Sequence, residues 1–320
     1  MFSVFGIGNP LLDFVTRADF ALLEQLDTQK GTMNLVGRGE MEDVLGLVDT
    51  YKNIPGGSCA NTIRGIAWLS GLDPVRPAVY CGALGNDRIA EQYRSCMQAA
   101  GVQTRLAAKE TPSGCSVILV TPDYERTMFT CLGACREFCK EDLDLQALAQ
   151  SRYLYITGYM WDTENQKEAV QLAVDFARRQ GLKVAFDLAD PFVVQRYREE
   201  FLTWIPGRVD ILFGNREELN LMIGEDRAGE LSELVIMKIG SEGCIVLEKG
   251  NQSGADSFAV EALDTTAAGD CFAAGFLFGR LKGFSTARSA RLANRLASRI
   301  VSVEGCDFTL LEPKQILGQD

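Results

Sequence analysis

The chain has no histidine among its 320 residues. That excludes Ser-His-Asp and Cys-His nucleophilic catalysis and the H-E-x-x-H metal motif, because each needs an imidazole. Any general base must be a carboxylate, Lys, Tyr or Cys. The pattern G-x-x-x-x-G-K-[ST] is also missing, so a P-loop kinase is excluded. Gly6 and Gly8 start a G-x-G-x-x-G series, but Leu11 stands in its last place, and a dinucleotide-dependent dehydrogenase fails there. Ten cysteines occur without one C-x-x-C pair; Cys131, Cys135 and Cys139 are spaced to line one helix face, but with no histidine and no fourth cysteine nearby they do not make a zinc site. No run of about 18 apolar residues is present, which excludes a membrane-spanning helix. Residues 1–8 lack the basic start of a secretory signal, so the expected location is the cytoplasm. Positive charge is scarce: 32 Lys and Arg against 43 Asp and Glu give −11, which argues against a nucleic-acid partner. An anionic small molecule stays possible, because backbone N–H groups and single cations bind phosphate within an acidic protein.

Apolar residues make up 47% and charged residues 23%, as in ordinary globular proteins, and the length fits one large domain with an elaboration or two domains. β-Branched apolar runs at 3–8, 78–82, 116–121, 153–157, 183–187, 209–213, 234–239 and 244–248 read as strands, and 257–263 reads as one more. Helical periodicity at 59–69, 87–100 and 165–180 falls between them. This alternation predicts an α/β protein with a mainly parallel sheet covered on both faces, its ligands beyond the carboxyl ends of the strands. Residues 14–49 and 107–135 fit that layout poorly, being turn-rich and β-rich, and together suggest a small lid. The large domain is then 1–13, 50–106 and 136–320.

Three loops carry the chemistry. Gly8-Asn9-Pro10-Leu11-Leu12-Asp13 follows the first strand, so Asn9 and Asp13 should point into the site. An ionised Asp13 suits a pair of vicinal hydroxyls; the plainer alternative is an Asx-capped turn. In Pro55-Gly56-Gly57-Ser58-Cys59-Ala60-Asn61, Gly56 and Gly57 let a ligand approach the backbone, and Asn61 lies on the first turn of the next helix; alternatively Ser58 is simply its N-cap. Asp264-Thr265-Thr266-Ala267-Ala268-Gly269-Asp270 runs into a long apolar stretch. Small residues at a helix start leave N–H groups bare for an anion, and Asp270 beside them pairs a proton acceptor with charge stabilisation. The alternative is a buried helix with an acidic first turn.

Together the three loops resemble the ribokinase/PfkB family of carbohydrate and nucleoside kinases, from Gly8 to about Pro313. Within it the chain is most similar to adenosine kinases, through Gly8 to Asp13, Lys30-Gly31-Thr32-Met33, Val209-Asp210-Ile211-Leu212-Phe213-Gly214-Asn215 and Gly305-Cys306-Asp307-Phe308. The family signature D-T-x-G-A-G-D is met with Ala267 in the first glycine place. The resemblance implies a ribokinase-like three-layer sandwich with a small β-rich lid, and ATP and Mg²⁺ as reactants, with a monovalent cation compatible. It implies that Asp270 is the catalytic base, with Ala267, Ala268 and Gly269 as the anion hole. Arg126, in Tyr124-Glu125-Arg126-Thr127, would be the lid arginine that meets the transferred phosphoryl group. Asn215 and Glu218, in N-x-x-E, would order Mg²⁺ through water; as residues alone they equally read as a capped helix start. Lys238, Gly240 and Gly243 would pass the nucleotide, with Thr265 and Asn294 also beside it. Asp187 to Pro191 reads as a turn.

The expected activity is ATP-dependent phosphorylation of a hydroxymethyl group on a ribose-bearing substrate, adenosine or a related nucleoside. A PfkB-type sugar kinase is the alternative, kept open by Tyr159-Met160-Trp161, which stands where adenosine kinases tend to carry phenylalanines. A silent nucleoside or sugar sensor on the same fold is a further alternative. The expected partner is a small molecule, and the chain a monomer or homodimer.

Overall fold

The computed structural model describes residues 1–317 other than Tyr124, Glu304, Pro313 and Lys314. Tyr124 of the lid motif and Pro313 at the end of the resemblance thus lie outside the described residues.

Nine strands form one sheet in the order Asn251–Ala255, Cys244–Glu248, Leu234–Lys238, Ile211–Asn215, Lys183–Asp187, Tyr153–Thr157, Val4–Ile7, Val79–Leu84 and Gln103–Ala108. All neighbours pair in parallel except at the first two strands of that order, which turn back antiparallel. Alternate residues feed two cores. Val4, Tyr80, Tyr155 and Ala185 pack on helices Ser58–Leu72, Ala268–Leu281 and Thr286–Ile300; Phe5, Ile7, Leu154 and Phe186 pack on Glu164–Arg179 and Pro191–Trp204. Both faces are therefore apolar and covered, which makes a three-layer α/β/α sandwich.

A second sheet holds Met33–Leu35, Arg126–Cys131, Cys115–Val120, Leu11–Arg17 and Lys52–Gly56. Its pleat separates two roles. Leu12, Phe14, Cys115, Val117 and Leu119 pack on Leu23, Met41 and Val44 of two short helices. Leu11, Asp13, Ser116 and Ile118 face the other way, into a cleft. This sheet takes in residues 11–13 and 52–56, while Gln103–Ala108 pairs with the large sheet.

Two readings need correction. Residues 257–263 form no strand: the edge of the large sheet is taken by Asn251–Ala255, and the segment is instead tied to residues further on, by Phe258 N–H to Ser298 Oγ (3.3 Å) and Leu263 N–H to Val301 O (2.7 Å). Cys131, Cys135 and Cys139 share no helix face. Cys131 ends a strand, Cys135 lies in the 3₁₀ turn Gly133–Glu137, and Cys139 follows it.

Candidate active site

The cleft lies between the two sheets, at the carboxyl ends of the parallel strands, and encloses about 1160 Å³ of space open to solvent at its mouth. Asp270 stands on its floor, in the first turn of Ala268–Leu281. That helix begins from Ala267 in the left-handed region (φ 58°), with no side chain capping it. The intrahelical ladder starts with Cys271 N–H to Ala267 O (2.8 Å), so Gly269 and Asp270 N–H lie in the bare first turn. Ala268 N–H instead closes on Thr265 O (3.2 Å), which corrects its place in the anion hole; Thr265 itself is on an exposed loop.

Both oxygens of Asp270 are held. Ser58 Oγ donates to Oδ1 at 2.6 Å and Asn61 Nδ2 to Oδ2 at 3.0 Å. Burial raises the Asp270 pKa to about 6, against the opposing effect of those two bonds. Asn61 thus positions Asp270 rather than presenting its amide to a ligand, and Ser58, read as a cap, proves to be a partner of the carboxylate.

Asp13 faces the cleft from the small sheet. Burial raises its pKa to about 7, opposed by the charges of Arg126 and Arg64. The paired glycines make room for this arrangement: a methyl carbon on Gly56 would stand 2.1 Å from Asp13 Oδ2, and one on Gly57 (φ 95°) 2.3 Å from Asn9 O. Asn9 lines the cleft, but its side chain is engaged by the protein. It donates to Tyr159 O (3.3 Å) and accepts from Gln166 Nε2 (2.9 Å).

Arg126 reaches down from the small sheet to pair with Asp264, both nearly buried at 9% and 6% exposure. Asp264 also accepts from Thr266 N–H (2.9 Å) and Gly305 N–H (2.6 Å). Here the guanidinium ties the small sheet to the signature loop, and its Nε has no partner among the described residues.

Glu218 and Asn215 form a reciprocal helix cap: Asn215 donates to both Glu218 oxygens (2.7 and 2.9 Å) and accepts from Glu218 N–H (2.8 Å). Burial, with Asp187 and Asp190 adding negative charge, lifts the Glu218 pKa to about 7. Each Glu218 oxygen keeps a lone pair for a water. Among the described residues no three His, Cys, Asp or Glu side chains are grouped to hold a metal ion. Lys238 is paired with Asp187, which corrects the reading of Asp187 as part of a plain turn. Gly240 and Gly243 (φ 63° and 102°) shape the hairpin after Lys238. Asn294 is set apart: it is buried and donates to Ala255 O (2.7 Å) and Asp256 O (3.2 Å), so its amide pins that loop to the last helix.

Met33, Leu35, Met128, Leu132 and Phe192 also line the cleft, as do Asp162 and Arg196. Of Tyr159-Met160-Trp161 only Tyr159 reaches it; Met160 and Trp161 are in the core.

A mainly parallel sheet covered by helices on both faces makes this an α/β protein, and residues 31–313 match the pfkB family carbohydrate kinase. The chain belongs to that family and is a kinase with the ribokinase-like fold. The crystal structure of an adenosine kinase from Sinorhizobium meliloti is 33% identical and superimposes with a TM-score of 0.87 over 94% of both chains. A probable sugar kinase from Rhizobium etli CFN 42 is 30% identical, with a TM-score of 0.88 over 94% of this chain and 93% of that one. The adenosine kinase of Dictyostelium discoideum is 26% identical over 335 residues, 96% of each.

Proposed function

We propose that this kinase transfers the terminal phosphoryl group of ATP to the hydroxymethyl group of a ribose-bearing nucleoside, adenosine or a close relative. One observation carries the reading: a carboxylate oriented by Ser58 and Asn61 beside two bare N–H groups, in a cleft also lined by Met33, Leu35, Met128, Leu132 and Phe192. Asp270 takes the hydroxyl proton, the freed oxygen bonds to the terminal phosphorus, and the bond from that phosphorus to ADP breaks. Gly269 and Asp270 N–H stabilise the charge on the moving group. Asp13 accepts hydrogen bonds from the ribose hydroxyls, and apolar side chains of the cleft pack on the flat base. Mg²⁺, when bound, neutralises nucleotide charge; Asn215 and Glu218 would hold it through water, which suits an ion that keeps several waters. The small sheet acts as a lid over residues 267–270, closed through Arg126.

A PfkB-type sugar kinase is the second reading, supported by the likeness to the Rhizobium etli probable sugar kinase. A panel of nucleosides and free sugars with ATP separates the two. Efficient turnover of adenosine over ribose or fructose is expected. The reverse order transfers the chain to the sugar kinases, and no ATP consumption with any acceptor ends both readings.

A further inference from the structure

Lys238 closes a central strand, and its ammonium donates to both oxygens of Asp187, at 3.0 and 2.9 Å. The pair is deep, with side chains 15% and 2% exposed. An internal ion pair alone is weak grounds for stability, since desolvation offsets much of the attraction. Three features give this one a direction.

The ammonium lies against the bare helix start: a methyl carbon on Gly269 would sit 3.1 Å from Lys238 Nζ. Glycine at that place lets the charge stand next to the N–H groups of the first turn. Glu218 and Asp270 are close enough to act on the same ammonium. Burial opposes its charge, but Asp187, Glu218 and Asp270 together raise its pKa above the ordinary value. Finally, the two oxygens of Asp187 are the hydrogen-bond acceptors of Lys238 Nζ among the described residues. An ammonium has three donors, so one remains for an anion resting on Gly269.

We propose that Lys238 supplies the positive charge that receives the terminal phosphoryl group of the nucleotide, and that Asp187 is the positioning residue that holds it against Gly269. The proposal rests on the kinase reading above and assigns within it a charge separate from the lid arginine. A group that meets only the terminal phosphate must discriminate a triphosphate from a diphosphate.

The test is calorimetric titration with Mg-AMP-PNP and with Mg-ADP, on the wild-type chain, K238M, D187N and the double variant. In K238M the AMP-PNP affinity is expected to fall at least about tenfold, as for loss of a charge-assisted hydrogen bond, while the ADP affinity changes less than about threefold. D187N should move the same ratio in the same direction. The double variant should lose no more than K238M, because Asp187 acts through Lys238. K238M leaves a buried carboxylate unpaired; should it not fold, the double variant, with neither charge, carries the comparison and must show the same selective loss. Equal losses for both nucleotides, or a double variant whose loss is the product of the single losses, overturn the assignment. Wild-type protein that binds neither nucleotide removes the kinase reading and the Lys238 role with it. Wild-type protein that binds both, with variants that shift both alike, removes the Lys238 role alone.

Discussion

Asn61 donates to Asp270 Oδ2 at 3.0 Å while its own carbonyl oxygen accepts from Arg64 at 3.3 Å. The second bond decides the first: with its oxygen turned to the guanidinium, only the NH₂ end of the amide can face the carboxylate. Arg64 is itself anchored on Pro55 O (2.8 Å) and Cys306 O (3.0 Å), so the orientation is built into the floor of the cleft. Asn61 and Ser58 favour the ionised carboxylate, while burial holds the Asp270 pKa up at about 6. A base must be deprotonated, so kcat/KM, which reports the free enzyme, should rise with pH through that value. Removing either donor raises the pKa. Ser58→Ala and Asn61→Ala are each expected to move the acid limb of the kcat/KM profile upward by about half a unit to one unit. Their loss of rate should thus be larger at about pH 6, on the limb, than at about pH 8, well above it. An unmoved limb, or one displaced to lower pH, would detach these donors from the base.

Asp270→Asn keeps the shape and both neighbours but cannot take a proton. Its kcat should fall by at least about 10²-fold, the usual contribution of a placed base, with acceptor affinity largely kept. Equilibrium dialysis of labelled nucleoside beside steady-state kinetics checks both halves. Near-normal turnover would remove Asp270 from the reaction.

The layout of the large sheet was legible because strand and helix alternate with clear periods, and the signature loop because small residues followed by Asp270 have few other uses. The long-range pairings were not. Asp187 reads as a turn residue because Lys238, which gives it meaning, lies 51 positions away on another strand. Ser58 has the composition of an N-cap, and only the fold brings Asp270 to within 2.6 Å of it. Asn9 and Asn61 were rightly placed at the cleft, but their amides bond to the protein, a fact set by Gln166 and Asp270 from distant segments. Residues 257–263 have strand-like composition, but a strand needs a partner, and Asn251–Ala255 already occupies the edge. A spacing of four among Cys131, Cys135 and Cys139 suits a helix, yet here it runs from a strand end through a 3₁₀ turn to the residue before the next one, so the three share no face.

The Arg126–Asp264 pair joins the lid to the signature loop across 138 residues of sequence. Arg126→Ala should have two separable effects. The rate falls, on the order of 10-fold or more, through loss of charge at the phosphoryl group. The small sheet also loosens, because a nearly buried carboxylate is left, among the described residues, with the N–H donors of Thr266 and Gly305 alone. Limited proteolysis should then cut residues 14–49 faster than in the wild type, and nucleoside should protect less. Unchanged cleavage with unchanged rate would leave the pair without a role in closure.

Asp13 yields a stability prediction opposite in sign to that of an ordinary paired carboxylate. Its folded pKa is raised to about 7 from 3.8, chiefly by burial. Between those values the folded state holds a proton that the unfolded chain has released. The stabilisation is therefore complete below the unfolded pKa and is lost as pH rises through the folded one. Asp13→Asn cannot ionise and escapes this loss. At about pH 8 it should be more stable than the wild type by on the order of 1 kcal/mol, discounted because the cleft is open to water, or about 2–4 °C in Tm. At about pH 4, where Asp13 is protonated in the fold, the difference should vanish. The same substitution turns one of the two acceptor oxygens into an NH₂ donor and removes the charge, so KM for the nucleoside should rise by about tenfold or more. Thermal melts across the pH range, paired with acceptor kinetics, read both. A variant that is less stable at high pH, or one that keeps its KM, would show that Asp13 is ionised and satisfied within the protein rather than held for a ligand.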